Sequence, residues 1–244
     1  MGYVFDFNDA KAYQRWFDDP RTRFEAQMEF GLMIEMLGPA RNESVLDIGW
    51  GAGNSLEPLV KNGVNATGID PSPYMLDLAF EKLGHRVDLY RGYAEDLPFE
   101  DNSFNYACFM TTLEFVDDPL KAVEEACRVA KDKVFIGVLN RYAIRGFQRR
   151  VAGMFSGSIY NHARFYGIWE LKRFVRRIAG PVPLFWRTVN QFPLSCQRVT
   201  QNIEQSKILQ RCPFGAFAGM VVVLIPRFRT RTLAMQYPAK QMPV

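Results

Sequence analysis

The chain has 244 residues, which fit one large domain or two small ones, a hydrophobic fraction of 48%, which is ample for a packed core, and a net charge of +4. We interpret it as one α/β domain. It contains no apolar run of about 18 residues and no basic segment leading into an apolar one, so we expect neither a transmembrane helix nor a secretory signal. Four cysteines without C-x-x-C spacing and two histidines argue against a disulfide framework or a metal site and favour a cytoplasmic protein.

A helical segment is the first predicted element. Across residues 9–37, apolar side chains such as Phe24, Met28 and Leu32 recur at helical spacing and predict one apolar face. Gly38 and Pro39 then predict the end of the helix. The segment therefore precedes the first strand as a helical layer.

A glycine-rich turn follows the first predicted strand, residues 44–48. An acid, Asp47, is followed at alternate positions by three glycines, Gly49, Gly51 and Gly53. Glycines let the backbone turn sharply beside a ligand, and the helix behind them offers free N–H groups, so we expect a nucleotide-like cofactor. Asn54 breaks the dinucleotide pattern and no P-loop lysine follows, whereas Asp47 would repel a pyrophosphate but suit an ammonium-bearing ligand.

A second acid, Asp70, ends the next predicted strand, residues 66–69. It lies 23 residues after Asp47, close to the interval of about 20 residues at which an acid meets a ribose in β-α-β units. Its carboxylate can accept hydrogen bonds from both ribose hydroxyls. Pro71 stops the strand, and residues 73–83 form the next predicted helix.

Strands and helices keep alternating along the rest of the chain. We predict strands over 87–90, 104–110, 133–138, 184–189 and 216–225, and helices over 54–62, 119–130 and 170–178. This alternation predicts a parallel sheet whose ligand sits beyond the carboxyl ends of the strands. The glycine loop, Asp70, residues 93–95 and the pair Thr111 and Thr112 all lie at such ends, so we expect them to converge.

Several segments resemble one family of enzymes. The loop from Asp47 to Gly53 resembles the first motif of the class I S-adenosylmethionine-dependent methyltransferases. Residues 94–105 and 113–119 resemble the A-E-x-L-P-F-x-D-x-S-F-D and L-E-H-V-x-D-P segments of the ubiquinone and menaquinone C-methyltransferase-like group, also called methyltransferase type 11. Residues 16–22 resemble its W-[FY]-D-x-P-x-G lid, and residues 162–171 its H-x-R-F-[YF]…E-L segment. This chain departs from that group at three positions. It has Tyr93 where the group usually has Asp or Asn, Asn105 where the group usually has Asp, and Phe115 where the group usually has His.

The resemblance implies a Rossmann-like seven-stranded sheet that is mostly parallel, with helices on both faces and an antiparallel last strand. It implies a single methyltransferase domain over residues 1–244. The predicted parts of this domain are a helical lid at 1–40, a cofactor-binding core at 41–139, a basic and aromatic cap with a helix at 140–180, closing strands at 181–226 and a tail at 227–244.

The same resemblance implies S-adenosylmethionine as the cofactor, S-adenosylhomocysteine as its product and a small molecule as the acceptor. Asp47 would hold the methionine amino group, directly or through water, and Asp70 would hold the ribose. The sequence indicates neither the acceptor atom nor the oligomeric state. The other predicted cofactor-binding residues are Gly49, Gly51, Gly53, Pro71, Tyr93, Ala94, Glu95 and Thr111.

Three side chains are candidates for removing a proton from the acceptor. His162 offers a neutral imidazole near neutral pH, and Tyr13 is expected to close over the cofactor. Glu114 is the third candidate, but we expect it instead to be an acid at a helix start that contacts backbone N–H groups. We take His162 and Tyr13 as the predicted catalytic residues, with loop bonding or ordinary packing as the alternative for each.

Charge is distributed unevenly along the chain. Residues 1–140 carry 13 Lys and Arg against 24 Asp and Glu, whereas residues 141–244 carry 17 against 2. Within residues 141–187, ten cations and one acid are interleaved with aromatic side chains. Four interpretations stay open: a solvated face, attachment to an anionic membrane, RNA, and an acidic small substrate. Nucleic acid is a disfavoured partner because no RNA-binding module is visible.

Two classes of function stay open. The favoured one is an enzyme that methylates a small molecule, including the variant of a peripheral membrane enzyme with a lipid- or quinone-like acceptor. The rival is a cofactor-binding regulator or degenerate relative without transfer activity. The substitutions at Tyr93, Asn105 and Phe115 keep the rival open, whereas the intact acids Asp47 and Asp70 favour the enzyme. A dehydrogenase is disfavoured because the dinucleotide pattern is broken.

Overall fold

A mixed β-sheet forms the centre of the molecule. The computed structural model describes residues 2–143, 162–192, 203–204 and 206–224. Within these residues lies a seven-stranded sheet of order β3-β2-β1-β4-β5-β7-β6. Its strands are Ser44–Ile48 (β1), Asn65–Asp70 (β2), Asp88–Arg91 (β3), Phe104–Met110 (β4), Ala130–Leu139 (β5), Leu184–Val189 (β6) and Phe217–Val223 (β7).

The sheet is parallel except for its seventh strand. β1 pairs in parallel with β2 and β4, β3 pairs with β2, and β5 pairs with β4. β7 runs antiparallel to both of its neighbours, β5 and β6. The predicted Rossmann-like sheet with an antiparallel last strand is thus confirmed. Because the parallel strands end at one edge, the loops that follow them gather there.

Helices cover both faces of the sheet. Their bounds are Phe7–Asp18 (α1), Pro20–Leu37 (α2), Leu56–Lys61 (α3), Pro73–Leu83 (α4), Pro119–Val129 (α5) and Ile168–Ala179 (α6). On one face α5 and α6 pack through buried side chains such as Val123 and Val175. On the other, α2, α3 and α4 pack through side chains such as Met33, Leu59 and Leu83. The central strands are consequently buried on both sides, as parallel sheets require.

Local capping chemistry sets the ends of the helices near the cleft edge of the sheet. Asp6 and Asp9 form a capping box at the start of α1. The predicted helical stretch over residues 9–37 is divided at Asp19, which has extended backbone angles (φ −70°, ψ 122°). The physical reason is Pro20, whose ring disfavours the helical region for the preceding residue. Ser72 caps α4, and Pro73 occupies its first turn.

Parts of the predicted domain plan lie outside the described residues. Of the cap at 140–180, the structure describes residues 140–143 and 162–180, and the tail at 227–244 falls wholly outside. The basic and aromatic stretch at 144–161 also falls outside. In the part of the chain that is described, no helix has the length and apolar character needed to cross a membrane.

Candidate functional site

A cleft opens at the carboxyl edge of the sheet, between the ends of β1 and β4, where the strand order reverses. Such a reversal leaves a crevice because the connections leave the two strands in opposite directions. The cleft contains about 770 Å³ of empty space, including its open mouth. The loops after β1 to β4 and the N-terminal segment form its walls. Predicted site residues that line it are Tyr13, Gly49, Gly51, Asp70, Pro71, Tyr93, Ala94, Glu95 and Thr111.

The loop after β1 contains positive φ angles, which glycine adopts more readily than other residues. Gly49 has φ +74°, and its N–H donates to the Ile69 carbonyl at 2.7 Å. A Cβ at Gly49 would overlap the side chain of Thr112, which is fixed by its own hydroxyl bond to the Ile48 carbonyl at 2.8 Å. Gly51 has φ +55°. The cleft wall is therefore bare backbone here, and a polar ligand can approach it closely.

Asp70 is held at the cleft by two backbone donors. The Gly51 N–H donates to its Oδ2 at 3.0 Å, and the Ser72 N–H donates to its Oδ1 at 2.9 Å. Burial raises the pKa of Asp70 to about 6, although both hydrogen bonds act in the opposite direction. The side chain is 8% exposed. Each carboxylate oxygen keeps a lone pair, so a ligand with two neighbouring hydroxyls could bind here.

Asp47 and Gly53 lie outside the cleft lining. Asp47 is fully buried within β1, opposite Cys108 of β4, and its carboxylate accepts a hydrogen bond from the Ser55 hydroxyl. Burial raises the pKa of Asp47 to about 7. A Cβ at Gly53 would lie 2.8 Å from Leu83 Cδ1 of α4. These two residues support the glycine loop from behind, so the arrangement differs from the direct contact that was one prediction for Asp47.

The loop after β3 contributes three consecutive residues to the cleft wall. Tyr93 is 41% exposed, whereas Ala94 is buried. The Glu95 carboxylate reaches the neighbouring loop, where it accepts a hydrogen bond from the Asp117 N–H at 2.9 Å. The Gly92 N–H donates to the Asp70 carbonyl at 3.2 Å. These bonds join the loops after β2, β3 and β4 into one continuous wall.

Residues 2–6 cross the cleft as an N-terminal strap. At one end the Tyr3 N–H donates to the Phe115 carbonyl at 2.8 Å, and at the other the Ser72 hydroxyl donates to the Phe5 carbonyl at 2.7 Å. The Phe5 ring packs edge-on against Phe115 at 5.1 Å and against Tyr13 at 6.4 Å between centroids. Aromatic rings thus cover part of the cleft.

Sequence reasoning missed the strap residues Tyr3 and Phe5. Both line the cleft, but they belong to no motif, and their apolar run Tyr3 to Phe5 ahead of the Asp6 cap is the only signal. A short apolar run before a capping residue is common and does not indicate a ligand site. Phe115 also lines the cleft, and the sequence had singled it out only as a departure from a family pattern.

The two predicted catalytic residues occupy different places. Tyr13 lines the cleft, and its hydroxyl lies 3.6 Å from the position that a Gly51 Cβ would take. His162 is exposed and lies outside the lining. Its ring stacks on that of Tyr3, with 4.3 Å between centroids and 9° between planes. His162 therefore contacts the cleft residue Tyr3 but does not itself line the cleft.

Glu114 is buried beside the cleft rather than placed at a helix start. Its Oε1 accepts a hydrogen bond from the Leu139 N–H of β5 at 2.6 Å. Glu114 thus contacts a backbone N–H as expected, but the N–H belongs to a strand and not to a helix start. Burial raises its pKa to about 8. Within the described ranges, no cluster of three or more His, Cys, Asp or Glu is arranged to hold a metal ion.

Comparison with known proteins places this geometry in context. Residues 46–136 match the family model of a methyltransferase domain, that of the type 11 group. An uncharacterized protein of Methanocaldococcus jannaschii is 36% identical over 146 residues, which are 59% of this chain and 64% of that protein. A demethylmenaquinone methyltransferase of Renibacterium salmoninarum is 36% identical over 104 residues, 41% of this chain and 42% of that protein. These matches span less than two thirds of the length of the curated relatives.

A solved structure agrees over a longer stretch. The crystal structure of a SAM-dependent methyltransferase from Thermotoga maritima, described as a possible histamine N-methyltransferase, superposes with a TM-score of 0.67 and 25% identity. The superposition covers 87% of this chain and 94% of that one. Together the matches agree with the resemblance expected from the motifs.

Proposed function

We propose that this chain, whose residues 46–136 match the model of a methyltransferase domain, transfers a methyl group from S-adenosylmethionine to a small-molecule acceptor. The observation that carries the proposal is the convergence of Gly49, Gly51, Asp70 and Ala94 on one cleft. A backbone wall without side chains fits the methionine part of the cofactor, and a carboxylate with free lone pairs fits its ribose.

Each predicted residue has a role in this proposal. Asp70 accepts hydrogen bonds from the ribose, and the backbone at Gly49 and Gly51 admits the methionine part. Asp47 acts on the amino group through water, since its carboxylate is fully buried. The other residues shape the site. Gly53 allows α4 to pack closely against the glycine loop, and Pro71 and Thr111 line the methionine and ribose region. The wall beside the adenine consists of Tyr93, Ala94 and Glu95.

The chain's own contribution to the reaction is alignment and exclusion of water. The cofactor, when bound, supplies a methyl group that the positive sulfonium already activates. The strap and the rings of Phe5, Tyr13 and Phe115 close the cleft, so that an acceptor meets the methyl group in a dry and restricted geometry. Where the acceptor loses a proton, His162 accepts it beside Tyr3, or the Tyr13 oxygen accepts it while the phenol's own proton passes to solvent.

The rings around the cleft favour an acceptor whose reacting part is flat and apolar. Several similar proteins are named demethylmenaquinone methyltransferases, and this supports a lipid- or quinone-like acceptor as the more specific alternative. A cytoplasmic enzyme that attaches to an anionic membrane surface belongs to the same proposal, because attachment would bring such an acceptor to the cleft.

A cofactor-binding protein without transfer activity is the second candidate function. Two of the three departures from the family pattern, Tyr93 and Phe115, line the cleft and favour it. The third does not bear on the cleft, because Asn105 lies at the opposite end of the sheet. Its amide oxygen accepts the Ser44 N–H at 3.1 Å, and its amide nitrogen donates to Asp132 at 2.9 Å.

Titration calorimetry with S-adenosylmethionine tests the cofactor site, with NADH as the control ligand. We expect wild type to bind the first and not the second. Asp70→Asn removes a charged acceptor and should weaken binding by about 10- to 100-fold. Asp88→Asn makes the same change at an exposed position of β3 and should leave binding unaltered.

Equal binding by wild type and Asp70→Asn, or no binding by well-folded wild type, would overturn the assigned cofactor site. Tight binding without methyl transfer to any member of an acceptor panel would favour the second candidate. The panel should contain both apolar quinones and small amines. Methyl transfer to the quinones alone would favour the lipid- or quinone-like acceptor over other small molecules.

A further inference from the structure

The outward side of α6 carries an aromatic and basic surface beside the cleft edge of the sheet. Trp169 is 54% exposed and Tyr142 is 50% exposed, and their rings meet edge to face with centroids 6.3 Å apart. The ring centroids of Trp169 and Trp186 of β6 lie 6.5 Å apart, and Lys172 Nζ lies 5.6 Å from the centroid of the Trp186 ring. We call the following set the α6 surface: Tyr142, Trp169, Lys172, Arg173, Arg176, Arg177 and Trp186.

Helix geometry explains why these side chains share one side of α6. Residues three, four and seven positions apart lie on the same side of a helix, and this spacing links Trp169 with Lys172, Arg173 and Arg176. The opposite side packs into the core through Ile168, Leu171 and Val175, which are all buried. Arg173, Arg176 and Arg177 are therefore exposed to solvent.

The positive charge of the α6 surface is not neutralised within the chain. Glu170, the one acid of α6, is engaged by Arg141 and Arg164 at 2.9 Å each. Among the described residues, no carboxylate lies within ion-pair distance of Lys172, Arg173, Arg176 or Arg177.

The segments outside the description cannot supply an acid either. The sequence beyond residue 140 contains only two acids, Glu170 and Glu204. Glu204 is buried and accepts a hydrogen bond from the Phe192 N–H at 2.9 Å. The segments outside the description carry only Lys and Arg as charged side chains, so they bring no carboxylate side chain to this surface.

We propose that the α6 surface docks onto an anionic lipid membrane. Half-exposed Trp and Tyr rings are typical of the boundary between lipid headgroups and acyl chains, and adjacent cations are attracted by anionic headgroups. Single-stranded RNA fits less well, because it needs open ring faces on which bases can stack. Here Tyr142 and Trp169 are 82° apart in orientation, and Lys172 covers the Trp186 ring.

Docking through the α6 surface would also orient the cleft. Tyr142 lies just beyond the carboxyl end of β5, where Asn140 bridges to Tyr166 at the edge that carries the cleft. The Tyr166 hydroxyl donates to the Leu113 carbonyl at 3.0 Å, two residues before the cleft residue Phe115. A membrane at this surface would thus lie near the cleft mouth. This consequence rests on the proposed function, whereas membrane binding itself does not.

Vesicle sedimentation without cofactor or acceptor tests the proposal. We expect the full chain to pellet with vesicles of phosphatidylcholine and phosphatidylglycerol but not with phosphatidylcholine alone, and to be released by salt. The double variant Arg173→Glu/Arg176→Glu should bind the anionic vesicles at least about 30-fold more weakly. The control Arg41→Glu/Lys61→Glu makes the same change in net charge at exposed positions near β1 and α3 and should bind like wild type.

A second measurement locates the contact. Quenching of tryptophan fluorescence by brominated lipid should be largely lost in the double variant Trp169→Phe/Trp186→Phe, because the other two tryptophans, Trp16 and Trp50, belong to other parts of the fold. Equal sedimentation with neutral and anionic vesicles, no sedimentation, or wild-type binding by the Arg173→Glu/Arg176→Glu variant would each overturn the proposal. Retention of single-stranded RNA without vesicle binding would assign the surface to nucleic acid instead. Since no methyl transfer is measured, failure here removes membrane attachment and leaves the proposed methyl transfer standing.

Discussion

Gly49 is the cleft glycine with the least space around it. It has φ +74°, and a Cβ there would overlap Thr112, whereas Gly38 has φ +61° with nothing within 4 Å. We expect Gly38→Ala to lower the free energy of unfolding by about 1 kcal/mol through backbone strain alone. Gly49→Ala should lower it further and also weaken cofactor binding. Urea denaturation and calorimetry of both variants measure the difference, and equal losses would contradict the role given to Thr112.

Glu114 makes stability depend on pH. Burial raises its pKa from 4.5 to about 8, so between these values the native state holds a proton that the unfolded chain has lost. The free energy of unfolding should therefore fall as pH rises through this window, by up to about 1.4 kcal/mol per pH unit for one proton. Asp47 and Asp70, whose pKa values burial raises to about 7 and about 6, add in the same direction.

Replacing Glu114 by Gln should flatten this dependence. The glutamine keeps the shape of the side chain but cannot ionise, so the slope of unfolding free energy against pH should decrease by about one proton. Urea denaturation at several pH values across the window measures the slope. The exposed Glu100→Gln serves as the control and should leave the slope unchanged. Identical slopes for wild type and Glu114→Gln would refute the raised pKa of Glu114 as the source of the pH dependence.

At the scale of elements, the strap is held by contacts at the surface of the fold rather than by pairing within the sheet. Two hydrogen bonds, from the Tyr3 N–H and from the Ser72 hydroxyl, join it to the cleft loops, and its rings pack against their neighbours, Phe5 between Tyr13 and Phe115 and Tyr3 on His162. The Tyr3 hydroxyl also donates to Asp9 of α1 at 2.7 Å. A segment held only at the surface can open locally without unfolding the core. Opening of the strap would then admit the cofactor.

Phe5→Ala should weaken S-adenosylmethionine binding at least about tenfold, since a large part of the aromatic cover is lost and water enters the cleft. Calorimetry measures the affinity, and thermal denaturation reports whether the fold persists. Phe80→Ala, which removes a 51% exposed ring from the outer side of α4, is the matched control. Equal affinities for the two variants would show that the strap does not cover bound cofactor.

At the scale of the whole molecule, stability is expected to vary from the centre of the sheet to its edges. β1 and β4 have neighbours on both sides and are almost wholly buried, whereas β3 is an edge strand with mostly exposed residues. Hydrogen exchange should therefore be slowest in β1 and β4 and fastest, among the strands, in β3.

Cofactor binding should change this exchange pattern in a restricted way. Added S-adenosylmethionine is expected to slow exchange in the strap, in α1 and in the glycine loop, because these parts face the cleft. β6 and α6 should exchange as before. Hydrogen exchange with mass spectrometry measures both regions in one experiment, and uniform slowing across the chain would contradict a local lid.

Most elements could be predicted because their signals are local. The ranges of β1, β4 and α4 agree with the prediction residue for residue, since apolar runs define the two strands, and Pro73 and Gly84 mark the ends of the helix. β5 begins at Ala130, three residues before its predicted start at 133, because Ala130 pairs with Phe104 of the adjacent strand. A pairing between strands adds residues that no local pattern indicates.

By itself, the sequence determined the fold class, the glycine loop and the acid at Asp70, because each depends on a pattern with fixed spacing along the chain. Only the tertiary structure decided which side chains meet across the cleft. It turned Asp47 toward Ser55, brought Tyr3 and Phe5 over the cleft, and stacked His162 on Tyr3. The physical reason is that contacts between distant segments depend on how their surfaces pack, and packing leaves no periodic signal in the sequence.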